Sequence, residues 1–144
     1  MSGETNLNTL LSTIQPRLLD DEYVFCTIPN GKYGDYALAS PLASYMENEG
    51  LTLVLTKENA TKVSLHYEML FRCITLCAYS SLEAVGLTAA VSTALADKGI
   101  SANVVAAYFH DHIFVHAEQA QQALVVLNDL SRKAFKFESH HLSN

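Results

Sequence analysis

The chain has 144 residues, 49% of them hydrophobic, enough for one ordinary domain or two very small ones and too apolar for a disordered chain. Nine Lys and Arg against fifteen Asp and Glu give a formal net charge of −6. That balance supplies no basic face for a nucleic-acid backbone. The longest apolar stretches are broken by Ser and Glu before the ~20 residues a bilayer span needs. The start, MSGETNLNTLL, lacks the basic and apolar regions of a signal peptide, so a soluble cytoplasmic protein with no membrane partner is expected.

In chain order, TNLNTLLSTIQP sets Leu7, Leu10, Leu11 and Ile14 on one helical stripe that Pro16 stops. EYVFCTIP, Glu22 to Pro29, reads as a strand ending at the turn pair Asn30-Gly31. The following residues to Gly34 are loop-like, and ALASPLASYMENEG is ambiguous because Pro41 interrupts it. LTLVLT (Leu51 to Thr56) reads as a strand and KENATKVSL as a short helix. LFRCITLCA is apolar on both alternating faces, as an interior strand should be.

GLTAAVSTALADKG carries Leu87, Ala90, Val91, Ala94 and Leu95 on one stripe, with Gly99 as the stop. ISANVVAAYF and HIFVH are strands with His110-Asp111 at the turn between them. AEQAQQALVVLNDLSRK is a helix with Ala120, Ala123, Leu124, Leu127 and Leu130 inward, and AFKF a last short strand. The expected organisation is two stacked α+β units of similar size, split near His66 and packed as one body. Their expected bounds are residues 1–66 and 67–137, followed by a disordered tail at 138–144.

The three cysteines, Cys26, Cys73 and Cys77, are odd in number and complete no disulfide framework. Cys73 and Cys77 lie four apart in a strand, roughly 13 Å, beyond the ~7 Å a bridge allows. Buried thiols are the simpler reading, and the spacing is not that of a zinc site.

The stretch EAVGLTAAVSTALADKGISANVV resembles the ACT-domain family of small βαββαβ regulatory modules. Val85-Gly86-Leu87 matches the glycine that begins the first helix after strand one. Gly99-Ile100 through Asn103-Val104 matches the segment that opens strand two. AAYFHDHIFVH is similar to the hairpin of the aspartate-kinase-type branch, and the match covers Leu70 to Leu130. YVFCTIP and ENEGLTLVL resemble the degenerate first module of small freestanding tandem-ACT proteins, distantly similar to cytosolic arginine sensors. The resemblance implies two ferredoxin-like βαββαβ modules, each an antiparallel sheet with helices on one face.

It also implies a binding role. An effector, often an amino acid, would sit at the loop that starts the helix, and this carries over to Ser81, Glu83, Ala84, Val85, Gly86 and Leu87. The opposing wall would be strand two, with Ser101 and Asn103; some relatives carry an acidic side chain where this chain has Asn103. The physical case is that a helix start offers unpaired amides and partial positive charge to a carboxylate, and glycine admits close approach. A structural reading stands beside it. Gly86 serves a tight turn, and Ser80 with Glu83 has the S-x-x-E spacing of a capping box.

His110, His112 and His116 fall within seven residues. On a strand His112 and His116 share a face ~13 Å apart, too far for one metal with Zn–N bonds of ~2 Å. Ile113 and Val115 take the other face, toward the helices. Only His110 and His112 flank the turn closely, with Asp111 between them, too few ligands for a structural metal. An exposed histidine row would instead make an interface pH-sensitive near pH 6.5.

The chain has no G-x-S-x-G, P-loop or G-x-G-x-x-G motif, and Cys26 has apolar neighbours that do not favour a thiolate. The expectation is a non-enzymatic regulatory protein that uses no metal or cofactor. It would bind a small-molecule effector such as an amino acid, assemble as a homodimer or higher symmetric oligomer, and signal to a separate protein target. The alternative is an oligomerisation or interaction module with no ligand.

Overall fold

A computed structural model of the chain describes residues 3–77 and 86–142. The elements in order are α1 (Gly3–Leu11), β1 (Arg17–Ile28), β2 (Ala43–Glu47), β3 (Gly50–Thr56), α2 (Lys57–Lys62), β4 (Phe71–Leu76), α3 (Leu87–Ala96), β5 (Ala102–Ala106), β6 (Asp111–His116) and α4 (Ala120–Leu142). Two short 3-10 turns lie at Ala37–Ala39 and Ala117–Gln119. The chain divides into residues 20–72 and residues 1–19 with 73–144. No helix of the described residues is long and apolar enough to cross a membrane.

In the 20–72 unit the strands run β2-β3-β1, with β3 antiparallel to both neighbours. The register pairs Val24 with Leu55, Cys26 with Leu53 and Ile28 with Leu51. Alternation therefore places these six side chains on one face, where Ala39 and Ala60 complete the core. Phe25 lies on the other face opposite Val54 and meets Phe71 edge-to-face, ring centroids 5.1 Å apart. Helix α2 is only six residues long; the Thr56 hydroxyl caps it by accepting from the Asn59 N–H at 3.1 Å. Between β1 and β2 stands no α-helix but a single 3-10 turn. Pro29, Asn30-Gly31, Gly34 and Pro41 punctuate that segment too often for a helix to propagate.

In the other unit the strand order is β4-β6-β5. Ile74, Leu76, Ile113 and Val115 face Leu87, Val91 and Leu95 of α3 and Ala120, Ala123 and Leu127 of α4. Helix α3 ends as its sequence requires: Gly99 takes φ +72°, and Ile100 returns its N–H to the Leu95 carbonyl at 3.0 Å.

Three features differ from the expected layout. Helix α1 joins residues 73–144 rather than 20–72, because its Leu7 and Leu11, with Ile14 beyond it, add to the core formed by α3 and α4. AFKF is helical, and α4 runs to Leu142, through most of the segment expected to be a disordered tail. The inward stripe Ala120, Ala123, Leu127 continues at Ala134, which is 3% exposed, so the helix has a reason to persist. Finally, β1 starts at Arg17, five residues before the expected Glu22.

Candidate functional site

Gly86 sits at the N-cap of α3 with φ +99° and ψ −10°, and among the described residues no side chain caps the helix there. Its carbonyl accepts the Ala90 N–H at 2.8 Å. A left-handed backbone at this point is what demands glycine. Space does not: a Cβ would meet only Leu7 Cδ2 at 3.6 Å and Cδ1 at 4.0 Å, ordinary contacts. Leu87 turns inward and is 2% exposed, so it contributes backbone rather than side chain to any site.

An open groove runs from Gly86 along the outer side of α3, walled by Leu7 and Leu130 and floored by Ala90 and Thr93, to Asp97. Among the described residues its sides are mostly apolar and contain no cation. Among the described lining residues Asp97 supplies the single carboxylate, and it lies eleven positions from Gly86, roughly 16 Å along the axis. One free amino acid cannot touch both ends.

Of the other expected site residues, Ser81, Glu83, Ala84 and Val85 lie outside the described residues. Ser101 is exposed just before β5, and Asn103 is exposed on β5 opposite Phe114. Ala102 and Val104 pack into the core with α3, so alternation turns Asn103 to the opposite face of the sheet. Gly86 and Asn103 are not brought together on one face of this unit.

The hairpin histidines are less exposed than a free row would be. Ile113 and Val115 are fully buried on the helix side, and His112 takes the other face half-buried. Its Nδ1 lies 3.0 Å from the Thr75 hydroxyl on β4, and its ring is 6.2 Å from that of His110. Burial pushes the His112 imidazole down from its ordinary 6.5, the neighbouring His110 adds to this, and Asp111 opposes it. Among the described residues no three His, Cys, Asp or Glu side chains converge on a metal position. Cys26 and Cys73 are buried free thiols whose pKa burial raises.

The feature that sequence reasoning missed is the 33–46 segment. Of the eleven exposed large hydrophobic residues among those described, six fall there: Tyr33, Tyr36, Leu38, Leu42, Tyr45 and Met46. The signal was present in the density of Tyr, Leu and Met on either side of Pro41, in a segment that Gly34 and Pro41 interrupt.

Comparison with known proteins gives two adjacent matches to family models described as ACT domain, over residues 2–72 and 70–129. A crystal structure of a protein of unknown function from Vibrio cholerae is 52% identical, with a TM-score of 0.82 over 90% of this chain and 99% of that one. An Agrobacterium tumefaciens protein is 16% identical, TM-score 0.69, over 82% and 89% of the two chains. The ligand-free regulatory subunit of aspartate kinase from Thermus thermophilus is 15% identical, TM-score 0.55, over 82% and 98%. The last two share the fold. No curated protein matches the chain significantly.

Proposed function

Because this chain belongs to the ACT-domain family, as two regulatory modules in tandem, we propose that it is a non-enzymatic cytoplasmic sensor of a small molecule of the amino-acid class. The effector's carboxylate sits at the start of α3, at the amides of Gly86 and Leu87, with Ser81, Glu83, Ala84 and Val85 preceding them. Asn103 and Ser101 of a second copy supply the facing wall, since within one copy Asn103 turns to the other side of the sheet. Binding across copies couples occupancy to assembly, and the homo-oligomer passes the signal to a protein target. The tandem family match, in two modules with no catalytic motif alongside, is the observation that carries this reading.

A thermal-shift screen of the full chain against the twenty amino acids tests it. A ligand at 100 times its Kd adds about 2.7 kcal/mol, a rise of about 5–11 °C for a chain of this size. If no amino acid moves the midpoint, the sensor reading fails. A second reading, an interaction module without ligand, is favoured by the exposed apolar residues between Tyr33 and Met46.

A further inference from the structure

We propose that a hollow over the core face of the 20–72 unit binds a small organic ammonium with an apolar body, held by Asp35 and Ser44 above a floor of Leu51 and Leu53. The site is separate from the start of α3 and requires no effector there.

The hollow exists because the sheet is incompletely covered. The 3-10 turn Ala37–Ala39 stands where a βαββαβ module sets its first helix, and it sends one small side chain, Ala39, into the core. A single alanine covers far less of a sheet face than the apolar stripe of a helix. Register shows the shortfall. Ser44 pairs with Leu53 and Met46 with Leu51, so alternation turns all four to the core face. Leu51 and Leu53 are buried, yet Ser44 is exposed and Met46 is 51% exposed. The space left beside Ser44 is about 480 Å³, within the range of small-molecule sites.

Its chemistry selects the occupant. Leu51 and Leu53 form the floor, Pro41 and Leu42 line it beside them, and Asp35 is the single charged lining residue among those described. The Lys32 N–H donates to Asp35 Oδ2 at 2.8 Å, which orients the carboxylate before any ligand arrives. A carboxylate and a hydroxyl can both accept from an ammonium, and no lining cation balances a ligand carboxylate. A zwitterionic amino acid is therefore a poor occupant, and a cation with an apolar body is the complementary one. The net charge of −6 draws such cations to the chain. The backbone agrees. Tyr36 and Ser40, on either side of the turn, hold φ +61° and +52°, a conformation unfavourable to residues with a side chain. Such strain concentrates at ligand clamps, and here it lies in the segment that brings Asp35 and Pro41 to one hollow.

An NMR titration of the full chain at pH 7 with three probes of one skeleton reads the outcome: phenethylammonium, 2-phenylethanol and 3-phenylpropionate. The ammonium should shift amide signals between residues 33 and 44 and bind at least about threefold tighter than the alcohol, with the carboxylate weakest. Asp35→Asn, which keeps an acceptor for the Lys32 N–H, should remove that preference. Ser44→Trp, at an exposed position, should block all three probes. Asp97→Asn, in the groove along α3, should change nothing. The proposal is overturned if about 10 mM ammonium moves no signal in that segment, or if the ammonium gains less than threefold over the alcohol. A preference that survives Asp35→Asn, or that Asp97→Asn abolishes, overturns it as well. The ammonium and alcohol are compared on the parent chain, so the comparison decides even where a variant fails to fold. The amino-acid screen reads the start of α3 separately, so either proposal can fail alone.

Discussion

Replacing Gly86 by alanine separates backbone demand from ligand access at the start of α3. The glycine holds φ +99°, and an L-residue forced into the left-handed region loses roughly 1–2 kcal/mol. This φ lies beyond the centre of that basin, near +57°, so the upper part of the range applies. Sterics add nothing, because the new Cβ would touch only the flexible end of Leu7 at 3.6 Å. The usual benefit of a stiffer unfolded chain is available only where the native backbone suits the new residue, which is not so here. The Gly86→Ala variant should therefore unfold about 3–8 °C lower, followed by circular dichroism during heating and by the urea midpoint. Gly86→Asn should lose less, since asparagine tolerates left-handed backbone. If the alanine variant matches the parent, or exceeds the asparagine variant, the left-handed cap is wrong. The carboxylate cradle built on it would then lose its geometric basis.

Three further outcomes follow from the same geometry. Gly50→Ala should lose about 3 kcal/mol or more, seen in urea titration, because its Cβ would lie 2.5 Å from the Ile28 carbonyl oxygen at φ +149°. His112 is held neutral more firmly folded than unfolded, so its contribution is complete above the ordinary 6.5 and is lost as pH falls through the lowered folded value. Thermal midpoints between pH 7.5 and 5 should fall less steeply in His112→Gln than in the parent, and an equal slope would refute the assignment. Cys26 and Cys73 should resist a thiol reagent in the native state and react at once in denaturant, both being buried with raised pKa.

Much of the architecture was legible wherever one local signal ruled. The α3 stripe with Gly99 behind it and the alternation of Ile113 and Val115 sit where the sequence pattern puts them. AFKF misled because four alternating residues suit a strand locally, while the continuing stripe to Ala134 keeps them in α4. The histidine row misled for a related reason. Period two assigns His112 a face but not a neighbour, and it is Thr75, thirty-seven residues away, that holds it. At the candidate site, the glycine was legible but its left-handed angle was not, and Asn103's turn away from α3 depends on strand register.

By itself the sequence determined composition class, most element positions, the tandem family pattern and the lack of familiar catalytic motifs, because each is a property of short windows or of simple counts. Only tertiary structure decided that α1 joins residues 73–144, that α4 continues to Leu142, and that an apolar edge stands open at β2. Those features depend on which faces find a partner across long sequence separations. A hydrophobic stripe states that it must be buried but not against what.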